Sequence, residues 1–190
     1  MIRAEKEQIC IRYTVFRTKW GYFGLAGTAI SLLRTHLPAH CPEIVERRLV
    51  EALLLDMGRI ARPSKSFLKP LQEQVIAYFE GSPIDFSAAL PLAIDGFRPF
   101  TRSVLNACRS IKFGQMVSYK ELAGQLGRPN ACRAVGNALA ANPMPLIIPC
   151  HRVIRDDSSL GGFSAPGGTA LKRRLLLHEQ DCQQMPRQHN

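Results

Sequence analysis

The sequence predicts an α+β fold: a small N-terminal α/β scaffold domain with a short antiparallel sheet over residues 1–95, a mostly helical domain over 96–180, and a polar tail over 181–190. Three observations carry this prediction. Residues 9–15 alternate apolar and polar, the period of a half-buried strand, and a glycine-punctuated apolar run follows at 20–28. Apolar residues recur at helical spacing after Pro42, Pro70 and Phe100. Two short helical segments then flank a turn that holds Gly127, the pattern of a helix-turn-helix.

In order, Ile9, Ile11, Tyr13 and Val15 take one face of the first strand and Cys10, Arg12 and Thr14 the other; residues 20–28 are its hairpin partner. His36, His40 and Cys41 lie close together, but no fourth ligand follows at a recognisable spacing, so they are assigned to a surface loop and no metal is expected. Pro42 suits the first turn of a helix, where its missing N–H would have no partner anyway. Ile44, Val45, Leu49, Leu53, Leu54, Met57 and Ile60 form its apolar stripe, and ARPSKS (61–66) ends it. A second helix starts near Pro70, turns Leu71, Val75, Ile76 and Phe79 inward, and stops at Gly81. Residues 82–96 are strand or loop joining the two halves.

Phe100, Val104, Leu105, Cys108 and Ile111 make one face of the next helix, and residues 113–117 connect it onward. Ser118 precedes Glu121 by three residues, a capping box that opens the helix SYKELAGQL, with Leu122, Ala123 and Leu126 buried. Asn130 can cap the following helix, which is nearly all small: Ala131, Ala134, Gly136, Ala138, Ala140, Ala141. Gly136 in mid-helix costs about 1 kcal/mol relative to alanine, which makes sense where another surface comes close, either a packed helix or a nucleic-acid backbone. Arg133 is the long cation of that helix. After a polar turn (155–162) and a Gly/Pro-rich loop (163–168), residues 169–179 form a helix with Leu171, Leu175 and Leu176 inward and Lys172, Arg173 and Arg174 outward.

The net charge of +10 is uneven, twelve Lys/Arg against ten Asp/Glu in residues 1–95 but thirteen against five in 96–190. Such an excess favours a polyanion, nucleic acid first. No apolar run approaches the length of a membrane span, the charged N-terminus lacks an export signal's apolar core, and the six cysteines show no CxxC spacing. A soluble protein with reduced thiols is expected, cytoplasmic, or nuclear if the source is eukaryotic, and monomeric.

The chemistry gathers at NPMPLIIPCHRV (142–153). A buried apolar segment ends at Pro149, which cannot continue a central strand, and Cys150, His151 and Arg152 follow at the rim of the core. A thiol acts as a nucleophile when ionised and needs a base or cation nearby, for which His151 and Arg152 are the candidates. Adjacent residues of an extended chain face opposite ways, so contact between Cys150 and His151 requires a turn or a bridging water. Glu179 opposes the preference of a helix C-terminus for cations, and His151 is a candidate to hold it.

SYKELA, RAVGNALAANP, PLIIPCHRVI, GGF and KRRLLLHE together resemble the C-terminal domain of the O6-alkylguanine-DNA alkyltransferases (methylated-DNA–protein-cysteine methyltransferases) over roughly 96–180, with a looser likeness over 1–95. The resemblance implies a winged-helix-like domain and a single-turnover DNA repair reaction, in which an alkyl group passes irreversibly from O6 of guanine in double-stranded DNA to Cys150. O4-alkylthymine is a further substrate to consider. It implies that His151 acts as base through a water, polarised by Glu179, that Asn142 braces the turn, and that Tyr119 assists guanine release and nucleotide rotation. It implies that Arg133 fills the gap left by the flipped nucleotide, with Ala131, Ala134 and Gly136 against the DNA. Leu139, Arg152, Phe163, Ser164 and Lys172 fall to the substrate pocket, Lys172 behind the active-site loop. Base extrusion and minor-groove insertion fit a smooth helix with one arginine. No cofactor is implied, and the Cys/His set that binds structural zinc in mammalian members has no counterpart, Thr28 standing where a cysteine belongs. Two other classes remain: a damage-sensing binding module of the same fold, in which the cysteine is replaced, and a cysteine hydrolase, which needs an oxyanion hole and repeated turnover.

Overall fold

The computed structural model describes residues 10–86 and 91–184. Ile9, the side chain of Met57, the middle of the joining segment (87–90) and the last six tail residues (185–190) lie outside the described residues. The fold is α+β, with an antiparallel-sheet region followed by a helical part. Strands β1 (Ile11–Thr18) and β2 (Gly21–Gly27) form the expected hairpin. β3 (Leu32–Ala39) replaces the expected loop around His36 and His40: its side chains are buried on both faces, so it lacks the alternation that marks a half-buried strand. β4 (Ala61–Pro63) lies parallel to β1 where the sequence suggested only a helix end. The sheet order is β3-β2-β1-β4.

Helix α1 (Pro42–Met57) packs on one face of the sheet through Val45, Leu49 and Leu53, against Tyr13, Ala26 and Leu33. Gly24 permits that approach, since a Cβ there would overlap Leu49 and Val45. Leu54 and Ile60, assigned to the same stripe, are instead 52% and 81% exposed. Leu54 lies one residue, about 100°, past the buried Leu53, and Ile60 falls beyond the helix, which Gly58 ends in a left-handed conformation.

α2 (Lys69–Glu80) buries Val75, Tyr78 and Phe79, and these join Phe23, Leu25 and Leu37 of the sheet. The same core continues through Val104, Leu105, Cys108, Leu122, Val135, Ile148 and Leu175 of the second half. Residues 91–93 bind the edge of β3 through Leu32 N–H to Pro91 O and Ala93 N–H to Leu32 O, both 2.9 Å.

In the second half α3 (Pro99–Arg109) is followed by β5 (Val117–Ser118), which pairs in parallel with β6 (Val153–Ile154). α4 (Tyr119–Gln125) begins at Ser118 with both halves of the capping box formed, 3.1 Å from Glu121 N–H to the hydroxyl and 2.6 Å from Ser118 N–H to the carboxylate. α5 (Cys132–Ala140) completes the helix-turn-helix. Its N-cap is Ala131, not Asn130, because a tight turn (Ala131 N–H to Arg128 O, 2.9 Å) delays the helix by a residue. α6 (Gly168–Gln184) runs past the expected end at 179 into the first tail residues. Gln183 Nε2 donates to Phe113 O at 3.2 Å and Cys182 packs on the core, so residues 181–184 are held in place. Among the described residues no helix is long and apolar enough to cross a membrane, and no group of three or more His, Cys, Asp or Glu side chains is placed to hold a metal.

Candidate active site

Residues 142–149 form a tightly bonded loop. Asn142 organises it: Nδ2 donates to Ile148 O at 2.9 Å and to Cys150 Sγ at 3.2 Å, while Oδ1 accepts from Met144 N–H at 3.0 Å. Leu146, fully packed in the core, takes a left-handed φ of 78° to turn the chain. From the N-terminal half, Thr35 holds this loop through N–H to Pro143 O at 3.1 Å and Oγ1 to Pro145 O at 2.7 Å.

Pro149 then opens one turn of 3₁₀ helix, Cys150–Arg152. With three residues per turn, successive side chains splay by about 120°. Cys150 faces a cleft of about 680 Å³, and His151 and Arg152 go into the interior, with all three buried. The expected turn is formed, but it splays the two side chains apart: His151 Nδ1 has no partner among the described residues, so a relay from Cys150 needs the bridging water.

The interior pair converges on Glu179 of α6, itself 1% exposed. Its Oε1 accepts from His151 Nε2 at 2.7 Å, from Tyr78 Oη at 2.7 Å and from Arg152 Nη2 at 3.0 Å. Oε2 accepts from Gly114 N–H at 2.9 Å and from Arg152 Nε at 3.0 Å. Glu179 is therefore not at the helix end, and the His151–Glu179 partnership is formed. Arg152 also donates to Ile111 O at 2.6 Å and lies 3.7 Å from Asp85.

The electrostatics follow from burial and pairing. Burial raises the Glu179 carboxyl, but His151 and Arg152 outweigh it and bring it to about 2, so it is a carboxylate. Burial lowers His151 more than Glu179 raises it, which leaves the imidazole neutral. With Nε2–H given to Glu179, Nδ1 is the basic nitrogen, and it has no hydrogen-bond partner among the described residues. Burial raises the Cys150 thiol, opposed by Asn142, by Lys172 and by backbone N–H groups, so the resting sulfur is protonated and needs a base.

Lys172 reverses one expectation. It is fully buried, not outward, because Nζ donates to Val153 O at 2.5 Å and lies 5.7 Å from the Tyr119 ring centroid. Burial lowers it to about 8. Lys172 and Arg152 thus stand behind the site and outside the cleft lining.

Tyr119, Arg133, Gly136, Leu139, Phe163 and Ser164 do line the cleft with Cys150. Ala131 and Ala134 sit beside it, part-buried and exposed, on the surface of α5. A Cβ on Gly136 would meet only Tyr119 at 3.8 Å, so no intramolecular packing demands glycine there. Gly161 is constrained twice: φ is 66°, and a Cβ would lie 2.9 Å from Tyr119 Cε2. Sequence reasoning missed Tyr78, the Gly114 N–H, and the cleft residues Lys120, Cys132, Arg155 and Asp156. Arg155 stood in what read as a polar turn, and nothing local connects Tyr78 to a residue 101 positions away.

Residues 99–181 match the family described as 6-O-methylguanine DNA methyltransferase, DNA binding domain. The methylated-DNA–protein-cysteine methyltransferase of Rattus norvegicus is 53% identical over 81 residues, 42% of this chain and 38% of the rat protein. That of Salmonella typhimurium is 44% identical over 109 residues, 57% of this chain and 61% of the relative. The chain thus aligns with less than two thirds of the length of these curated relatives. The Mycobacterium tuberculosis OGT solved in complex with DNA superposes with a TM-score of 0.71 at 31% identity, over 90% of this chain and 94% of that one. On that near-complete match, joined to the loop that carries Cys150 and the cleft, the chain belongs to the O6-methylguanine-DNA methyltransferase family.

Proposed function

We propose that this protein repairs O6-alkylguanine in double-stranded DNA by moving the alkyl group onto Cys150, once per chain. The observation that carries this reading is the position of Cys150 Sγ on the floor of a cleft walled by the helix-turn-helix, with a buried base behind it. His151 Nδ1 takes the thiol proton through a water, and Glu179 stabilises the imidazolium that forms. The sulfur attacks the alkyl carbon in line, the S–C bond forms as the O6–C bond breaks, and the electron pair leaves on guanine, which is protonated with help from the Tyr119 hydroxyl. Burial, and the nearby Cys150, raise that phenol, so it carries its proton at neutral pH. Asn142 and Lys172 favour the thiolate by hydrogen bond and charge. This chemistry uses groups of the chain, the substrate and the one relaying water. The six free cysteines are consistent with work in a reducing compartment.

The target base lies inside a stack and must be extruded. Arg133, exposed on the cleft wall, is the side chain that enters the vacated space, and Ala131, Ala134 and Gly136 let α5 approach the minor groove. Arg155, also exposed in the cleft lining, adds a phosphate contact. Arg133→Ala will slow repair in a duplex far more than reaction with free O6-benzylguanine, as single-turnover assays will read; equal slowing would remove the flipping role. Neutralising Arg155 will reduce the salt slope of duplex binding by about 0.9.

The experiment that tests the function is intact-protein mass spectrometry after incubation with an O6-methylguanine duplex, followed by peptide mapping. One methyl group on Cys150, restored guanine and no further turnover are expected. Selective binding without an adduct would make the protein a damage-sensing module, and repeated release of product would make it a hydrolase.

A further inference from the structure

We propose that Tyr78 is a positioning residue of the acid–base network: its hydroxyl shares Glu179 Oε1 with His151 and thereby keeps His151 neutral, with Nδ1 available as the base. The kinetic part of this inference rests on the alkyl-transfer reading; the titration part does not.

A carboxylate accepts hydrogen bonds and cannot donate, so Tyr78 Oη–H and His151 Nε2–H must both be donors to Oε1, each at 2.7 Å. Burial and the charge of Glu179 hold the phenol well above its ordinary range, so it stays a donor at any working pH. The ring is fully buried, with Phe79 and Phe113 against it edge-on and Phe86 tilted beside it, and His178 Nε2 bonds the Tyr78 carbonyl at 2.7 Å. These contacts fix where the hydroxyl points. Packing alone has no need of it, since phenylalanine would fill the same space, and a buried hydroxyl is unfavourable unless paired. Here its partner is the one carboxylate that orients the catalytic imidazole.

Each donor on a carboxylate lowers its basicity. By occupying Oε1, Tyr78 weakens the pull of Glu179 on a His151 proton. The other charged or titratable groups around the pair are Arg152, with Asp85 beyond it, Lys172, Cys150, and His178 and Cys182 on α6. Arg152 works in the same direction as Tyr78, but through both carboxylate oxygens. Tyr78 comes from α2, so the N-terminal half contributes directly to the proton chemistry of Cys150.

Tyr78→Phe tests this. Removing the donor makes Glu179 a stronger acceptor, stabilises the imidazolium, and raises the pH at which His151 gains its proton. The acid limb of the single-turnover rate profile should move up by about half a pH unit or more. ¹⁵N NMR of the His151 ring should show the same displacement. Replacing Tyr78 with 3-fluorotyrosine, a stronger donor, should move both the other way. Identical His151 titrations in parent and Tyr78→Phe, an imidazole neutral down to pH 5 in both, or a rate loss equal at every pH would overturn the proposal and leave Tyr78 a packing residue. A parent protein that takes up no alkyl group would instead sink the alkyl-transfer reading, while the His151 titration would still decide the role of Tyr78.

Discussion

Cys150→Ser will take up no alkyl group from O6-methylguanine DNA, and its transfer rate will fall by at least about a thousandfold. The serine hydroxyl has almost the same shape but ionises far less readily than a thiol, and the buried site that already raises the thiol would raise it further. Binding should survive, because Cys150 is only 7% exposed and the walls of the cleft come from Tyr119, α5 and the loop around Phe163. Mass spectrometry and a gel-shift titration check the two halves. Cys132 lines the same cleft, so mapping of the modified peptide matters. A methyl group found there, or on any residue of the Ser variant, would move the acceptor elsewhere.

Glu179→Gln will cost about 3 to 5 kcal/mol of folding stability, the range found when one partner of a buried charge pair is removed. The substitution preserves shape yet leaves the Arg152 guanidinium, 2% exposed, without its main counter-charge. Chemical denaturation at pH 7 measures it, and a loss below about 1 kcal/mol would mean that Arg152 is satisfied by Ile111 O and Asp85 alone. The pH dependence provides a second check. The Glu179 carboxyl sits at about 2 in the fold against an ordinary 4.5, so its contribution is full above 4.5 and disappears as pH falls through about 2. His151 acts earlier in the same direction: lowered in the fold, it lets protonation of the unfolded chain below 6.5 favour unfolding. The Gln variant should lose the carboxylate part of this acid sensitivity. Transfer should slow as well, since nothing then stabilises the imidazolium.

The parts of the site legible in the sequence are those whose signals are local. The capping box at Ser118, the turn demanded by Pro149 and the small-residue face of α5 each fit within a dozen residues, and each formed. The pairing of His151 with Glu179 was suggested by a charge that opposed its helix dipole. That premise failed, since α6 continues to Gln184, although the contact itself is present. Lys172 read as solvent-facing because an amphipathic pattern cannot register a carbonyl, Val153 O, waiting in the interior. Arg152 read as a pocket cation, but a buried carboxylate holds it more strongly than an open cleft would. β3 escaped notice because burial on both faces removes the alternation by which a half-buried strand is recognised.

The bonds that converge on Glu179 span 28 residues to His151, 65 to Gly114 and 101 to Tyr78. Each of these contacts closes a loop, and the entropy of that closure must be met before the contact can form. During synthesis Cys150 is added to the chain before Glu179, the carboxylate that pairs with His151. Until α6 docks, His151 has no Glu179 to pair with, and the proton relay proposed for Cys150 is incomplete. On the proposed reading, in which Cys150 reacts once, the order of residues in the chain ties completion of the proton relay to the step that docks α6.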